Sequence, residues 1–185
     1  MAAAFYYGSG VAKLDFEKLV EDYYMPLYRF ALSLSRQESD AADLTQQTFF
    51  LWASKGHQLR DASKVKTWLF TSLYREFLGR KRHQDRFVES ETAPEVIAAQ
   101  TVPSSIVDEL DSEIVQRALI GLEEIYRAPL TLFYLQALSY KEIAETLSIP
   151  IGTVMSRISR GKEHLRKALA DEAGLTTERS GGMRE

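Results

Sequence analysis

The segment from Ser139 to Arg166, SYKEIAETLSIPIGTVMSRISRGKEHLR, constrains the fold of this chain more than any other, because its pattern reads as a short helix, a forced turn and a second helix. Ser139 is placed to cap the first helix, its hydroxyl accepting from an early backbone N–H, and Glu142 stands three residues on to complete a capping box. Ile143, Ala144 and Leu147 recur at helical spacing and give that helix one apolar face. Ser148, Ile149 and Pro150 then end it, since proline drives the residue before it out of helical geometry and has no N–H to donate. Beyond Gly152 and Thr153, the positions Val154, Ile158 and Leu165, with Gly161 between them, form a seam expected to pack on the first helix. Ser156, Arg157, Arg160 and His164 are left on other faces.

Helices paired in this way lay the second one in the major groove of DNA, where an arginine bridges guanine O6 and N7 and Ser or Thr reaches several base edges. Arg157 and Arg160 lie on the opening turns of that helix, whose other side the seam occupies, and are read as nucleic-acid contacts. Arg166 and Lys167 are read instead as charges suited to the helix dipole or as simple phosphate contacts. Met155 has two readings, packing on thymine methyls or filling space.

Composition narrows the class. A chain of 185 residues, 45% hydrophobic and 26% charged, suffices for one ordinary domain or two small ones. With no cysteine it has neither disulfides nor thiolate zinc sites, and His57, His83 and His164 are scattered, so no metal or other cofactor is expected. No apolar run approaches a bilayer span, and the first ten residues lack the basic start and apolar core of an export signal. A cytoplasmic chain without membrane insertion is therefore expected. The net charge of -3 disguises an uneven distribution. Lys55 to Arg86 holds nine Lys/Arg against three Asp/Glu, and Ile151 to Ala170 holds five against one. Between them, Phe87 to Glu113 carries seven acids and no Lys or Arg. The pattern is two basic modules on an acidic connector, the local arrangement that matters for phosphate attraction. The connector has the composition of a disordered spacer, and its roughly twenty central residues would reach on the order of 60 Å when extended. A second reading makes it a polyanionic strand that imitates nucleic acid in a basic channel.

The N-terminal part reads as helix throughout. Phe16, Leu19, Val20, Tyr23, Leu27, Phe30, Ala31 and Leu34 follow three-and-four spacing, with Pro26 expected to kink the helix. Ser39 or Asp40 is expected to begin a second helix with an inner face of Leu44, Thr48, Leu51 and Trp52, leaving Asp43, Gln46 and Gln47 elsewhere. A third starts near Ser63 and turns Val65, Trp68, Leu69, Leu73 and Phe77 toward a core. Lys64, Arg75 and Arg82 fall about three and two turns apart, a basic rail beside the polar loop Gly56 to Ser63 that suits a phosphate backbone. The expected organisation is all-α, two small helical domains joined by a flexible acidic linker. Residues 1–12 form a disordered terminus, 13–86 the first domain, 87–110 the linker, 111–170 the helix-turn-helix domain and 171–185 a disordered tail.

Three motifs in this order resemble the group IV, or extracytoplasmic-function, sigma factors of bacterial RNA polymerase, over nearly the whole chain. DAADLTQQTFFLWA is similar to the family's polymerase-gripping region, KTWLFTSLYREFLGRKR to the helix that opens the -10 element, and Tyr140 to Arg166 to its region-four helix-turn-helix. The resemblance implies that Asp40, Asp43, Leu44, Gln46, Gln47 and Phe50 meet core polymerase, at the clamp helices of its largest subunit. It implies that Gln58, Leu59, Arg60, Asp61 and Ser63 receive a base flipped from the -10 non-template strand, with Lys64, Lys66, Arg75, Arg80 and Arg82 on nearby phosphates. Thr153, Ser156, Arg157, Arg160, Lys162 and His164 would engage the -35 element. It further implies a contact with the polymerase flap, a connector threading toward the active-site and RNA-exit channels, and an anti-sigma factor binding a chain that is monomeric when free or paired one to one. This chain departs from the family's usual pattern at Ser72, Leu73 and Arg75 in the strand-opening helix and at Met155 after Thr-Val.

No enzyme is expected, since clustered carboxylates, Cys/His pairs and a phosphate-cradling glycine loop are all missing, which counts against a nuclease. The alternative reading is a stand-alone helix-turn-helix regulator that binds an operator without polymerase.

Overall fold

A computed structural model describes residues 15–88 and 117–180, with side chains for 15–83 and 117–170. The described residues contain helices and no strand. The described residues divide into two compact units, 15–88 with Glu145–Ser148, and 117–144 with 149–180. The expected disordered terminus and most of the expected linker lie outside the described residues.

The first unit is built on α1 (Phe16–Ser35), α2 (Glu38–Lys55) and α3 (Val65–Val88). Asp15 caps α1, its carboxylate accepting from the Glu17 N–H at 3.1 Å. The helix runs through Pro26 and closes on Arg36 in the left-handed region, whose N–H donates to the Leu32 carbonyl. Helix α2 begins at Glu38, a little before the expected Ser39 or Asp40, and Gln37 at its cap supplies no side-chain bond. Glu38 and Asp40 in the first turn offset the helix dipole there. Phe30 of α1 and Phe70 of α3 are fully buried and meet at 5.5 Å between centroids, making the centre of the core. Leu19, Leu27, Ala31 and Leu34 of α1, Ala41, Leu44, Phe49 and Trp52 of α2, and Val65, Leu69 and Leu73 of α3 complete it. Phe16 was expected on this face, yet it lies 45% exposed at the helix end, edge-on to Phe49. Buried Thr45 and Thr48 each donate to a carbonyl one turn back, Ala41 at 2.8 Å and Leu44 at 2.7 Å, so neither hydroxyl is stranded.

The remaining helices are α4 (residues 117–121), α5 (Glu124–Tyr134), α6 (Tyr140–Leu147) and α7 (Ile151–Ser180). Ser139 and Glu142 form the expected capping box, the Ser139 N–H donating to Glu142 Oε2 at 2.9 Å while the Glu142 N–H donates to Ser139 Oγ at 3.3 Å. Helix α6 ends on Ser148 in the left-handed region, and the Pro150 carbonyl then accepts from the Thr153 and Val154 N–H groups to start α7. Val154, Ile158 and Leu165 are buried, as the seam requires. At Gly161, however, the seam packs on α5 and not on the first helix of the pair. A Cβ there would stand 2.7 Å from Leu130 Cδ1 and 3.2 Å from Tyr126 Cβ. The reason is length: eight-residue α6 spans about 12 Å, and Gly161 lies about 15 Å along α7, beyond its end. Helix α7 also continues to Ser180, where a disordered tail was expected from residue 171. Ala, Leu and Glu dominate residues 168–173 and no proline interrupts them, so nothing local stops the helix.

Arg127 on α5 is buried, and its Nη1 donates to the carbonyls of Ile120 at 3.0 Å and Leu122 at 2.7 Å. Those carbonyls belong to the end of α4 and the turn after it. Arg127→Met keeps the bulk and removes both of these charge-assisted hydrogen bonds, so it should destabilise the second unit by about 2–4 kcal/mol. Both tryptophans, Trp52 and Trp68, lie in the first unit, so tryptophan fluorescence follows that unit and circular dichroism follows both. In urea, the dichroism should gain an early transition that fluorescence lacks. Superimposable curves for variant and parent would refute the role.

Candidate functional site

Three surfaces collect the residues singled out from the sequence. The first is the outer face of α2. With Ala41, Leu44, Thr45, Thr48, Phe49 and Trp52 turned inward, the 100° step of the helix puts Asp43, Gln46, Gln47 and Phe50 opposite, with Asp40 at the edge. Phe50 is 67% exposed, a large apolar side chain among polar neighbours. Leu44, expected to touch a partner here, is 1% exposed and belongs to the core, so it supports this face without reaching it. The sequence spacing carried that signal, since Leu44 is one turn from Thr48 on the inner face.

The second surface is the segment between α2 and α3 and the exposed side of α3. It contains two 3₁₀ turns, Gly56–Gln58 and Ala62–Lys64. Gln58, Arg60, Asp61, Ser63 and Lys64 are exposed and Leu59 is half-buried. Asp61 and Ser63 are turned on each other, Asp61 Oδ1 accepting from Ser63 N–H at 2.9 Å and from Ser63 Oγ at 2.7 Å. Those two bonds, helped by nearby Lys64, hold the Asp61 carboxyl below the usual carboxylate range, so it is ionised at neutral pH. An ionised carboxylate repels phosphate, which sets Asp61 apart from the cations expected to hold the backbone of the strand. On α3, Arg75 and Arg82 are exposed and Lys66 and Arg80 half-buried. The Arg82 Nε donates to the Leu78 carbonyl at 3.2 Å, folding the side chain along its own helix. Lys64 precedes α3 in a 3₁₀ turn, so the expected helical stacking with Arg75 does not extend to it. Sequence reasoning missed Gly56, which is buried against the Trp52 indole; a lone glycine after a tryptophan-bearing helix was its only trace.

The third surface is α7. Thr153, Arg157, Arg160 and His164, spaced four, three and four apart, make one stripe beside the buried seam. Met155, Ser159, Lys162 and Arg166 make a second stripe on its other side, and Ser156 lies opposite the seam. Thr153 and Arg157 are half-buried, while Ser156 and Arg160 are exposed. Lys162, expected to face outward, turns back on α5, its Nζ 5.1 Å from the Phe133 ring centroid and 5.5 Å from that of Tyr134, whereas His164 stays exposed with its ring 5.0 Å from that of Tyr126. The outward-facing set is therefore Thr153, Ser156, Arg157, Arg160 and His164, with Met155 exposed beside it.

Among the described residues no group of three or more His, Asp or Glu could hold a metal ion, and no helix is long and apolar enough to cross a membrane. The family model for Sigma-70 region 2 matches residues 19–87, and that for Sigma-70, region 4, matches residues 112–165. The chain is 34% identical over 178 residues to the ECF RNA polymerase sigma factor SigE of Mycolicibacterium smegmatis, covering 92% of this chain and 68% of that protein. It is 30% identical over 168 residues to the ECF RNA polymerase sigma factor SigW of Bacillus subtilis, covering 84% and 89%. Among solved structures, the sigma factor RpoE of Bartonella quintana, in complex with the anti-sigma factor NepR, aligns with a TM-score of 0.72 at 30% identity, covering 84% of this chain and 97% of that one.

The partition of α7 is open to a stability test. Lys162→Ala removes a cation held over two rings, a contact worth about 0.5–1 kcal/mol at partly exposed sites, whereas Arg160→Ala removes an exposed side chain. Thermal unfolding should show Lys162→Ala melting lower than Arg160→Ala by a few degrees. Equal melting temperatures would return Lys162 to the outward-facing set.

Proposed function

The chain belongs to the extracytoplasmic-function sigma factors of RNA polymerase, and from that footing we propose how each of its three surfaces serves promoter recognition. As a sigma factor it binds core RNA polymerase and directs promoter recognition, DNA melting and transcription initiation. In our reading the outer face of α2 grips the clamp helices of the largest polymerase subunit through Asp40, Asp43, Gln46, Gln47 and Phe50. The loop after α2 receives a flipped -10 base, while Lys64, Lys66, Arg75, Arg80 and Arg82 hold phosphates of the separated strand. Thr153, Ser156, Arg157 and Arg160 read the -35 element from α7, and the second unit also meets the polymerase flap.

The observation that carries this reading is Phe50. A phenylalanine 67% exposed in the middle of a polar helix face is costly in water and belongs against a partner. A stand-alone helix-turn-helix regulator would use such a face to dimerise, and it is the region 2 match over residues 19–87 that disfavours this alternative. The mechanism is binding and strand capture, with no bond made or broken. Unstacking a base costs a few kcal/mol, which a shaped loop and flanking cations offset by retaining the single strand. RpoE is bound by an anti-sigma factor, and we assign this chain a partner of the same kind, made one to one and covering the polymerase-facing surfaces.

The direct test is run-off transcription by core polymerase with and without the chain on a promoter library. Enrichment of templates sharing a -10 and a -35 element is expected; no chain-dependent transcript would overturn the reading. Arg157→Ala or Arg160→Ala should weaken -35 discrimination by about 1–3 kcal/mol while core affinity stays at the parent value. Asp43→Lys should do the reverse, losing core affinity in a competition titration with the parent while its unfolding curve is unchanged.

A further inference from the structure

Gly56 ends α2 with φ -59° and ψ -29°, an ordinary right-handed conformation open to any residue. What sets it apart is the space around it. A Cβ built there would stand 2.6, 2.8 and 2.9 Å from Cδ2, Cε2 and Cε3 of Trp52, inside the contact limit of a rigid ring. The backbone leaving α2 therefore lies flat on the indole. The same Trp52 ring meets the Trp68 ring of α3 edge-on at 5.2 Å between centroids. The start of the loop is thus pinned to the helix on which the loop ends. From Gly56 a 3₁₀ turn brings the Leu59 N–H within 3.0 Å of the Gly56 carbonyl.

The far end is held by a different device. Asp61 caps the second 3₁₀ turn, its Oδ1 accepting from both the N–H and the Oγ of Ser63, and its carbonyl accepts from the Lys64 N–H at 3.1 Å. Between these fixings stand Gln58, Leu59 and Arg60, of which Gln58 and Arg60 are exposed.

We propose that Gly56, by its close approach to Trp52, and Asp61, by its bonds to Ser63, are positioning residues that hold a preformed loop, leaving Gln58, Leu59 and Arg60 to set base preference at the -10 element. Asp61 acts through the shape of the loop and makes no contact with DNA. This inference rests on the assignment of the loop to the flipped -10 base.

The test compares holoenzymes carrying Gly56→Ala, Asp61→Ala, Asp61→Asn and the tip variant Gln58→Ala with Arg60→Ala, each on promoters permuted at every -10 position. The readouts are open-complex formation by permanganate reactivity and core affinity. Asp61→Ala and Gly56→Ala should each narrow the spread of rates between best and worst -10 bases by about fivefold, with core affinity at the parent value. Asp61→Asn keeps an oxygen acceptor for Ser63 and should retain most of the parent's discrimination. Should Asp61→Asn lose as much as Asp61→Ala, the charge itself is required and the positioning role is refuted. Should the tip variant change base preference while Gly56→Ala and Asp61→Ala do not, the anchors are refuted and the loop's assignment stands. Unchanged preference in all four would refute the assignment, and the anchors with it. Asp61 lies in an exposed turn, so its variants report even if Gly56→Ala fails to fold.

Discussion

The edge-on contact of Trp52 with Trp68 is the constraint on which the first unit turns. Both rings lie near the ends of their helices, on either side of the connecting segment, and their contact sets the separation of α2 from α3 at the point where the chain must cross between them. A dry aromatic pair adds about 0.5–1.5 kcal/mol beyond its buried area, a useful fraction of a small domain's stability. Its larger effect is geometric. The backbone crosses the Trp52 ring so closely that a Cβ at position 56 would clash with it, which favours glycine there. The core centred on Phe30 and Phe70 holds the three helices together, and the tryptophan pair decides where the loop between two of them can go.

The second unit has a close approach of the same kind. Gly161 lets α7 approach α5 closely enough for Leu130 to fill the place of a side chain. The seam of Val154, Ile158 and Leu165 then has a stripe of polar and basic residues on each flank. One flank is partly consumed by packing, as Lys162 lies over Phe133 and Tyr134. Basic residues on one helix thus divide between structure and solvent, and counting charges along the sequence cannot separate them.

That division marks how far the sequence was legible. The capping box of Ser139 and Glu142, the turn at Ser148 to Pro150 and the buried seam could all be read, because each depends on residues within one or two turns of each other. Most of the inner faces of α1 and α3 was legible for the same reason, but fully buried Phe70 was not among the expected core residues of α3, and Phe16 of α1 is exposed. What could not be read depends on partners distant in sequence. Nothing near Gly161 says that it meets Leu130, nothing near His164 names Tyr126, and nothing near Gly56 shows that an indole lies beneath it. Leu44 was misplaced for a different reason: a motif resemblance covers every residue in the motif, whereas only the outward half of a helix is free to touch anything.

A loop that captures an unstacked base must meet two costs, the loss of stacking and the ordering of the loop itself. The first is a few kcal/mol and is fixed by the nucleic acid. The second is about 1–2 kcal/mol for each residue whose backbone is frozen, and it falls at the moment of binding unless folding has already met it. Across the seven residues from His57 to Ser63, a loop left to order on contact would lose on the order of 10 kcal/mol, more than a few base contacts return. Anchors at Gly56 and Asp61 shift that cost into the folding of the first unit, where the Phe30–Phe70 core and the tryptophan pair oppose it. The same reasoning explains why the anchors are a close backbone approach and a turn-closing carboxylate. Both act on the main chain, and both leave the side chains between them free to differ in what they read.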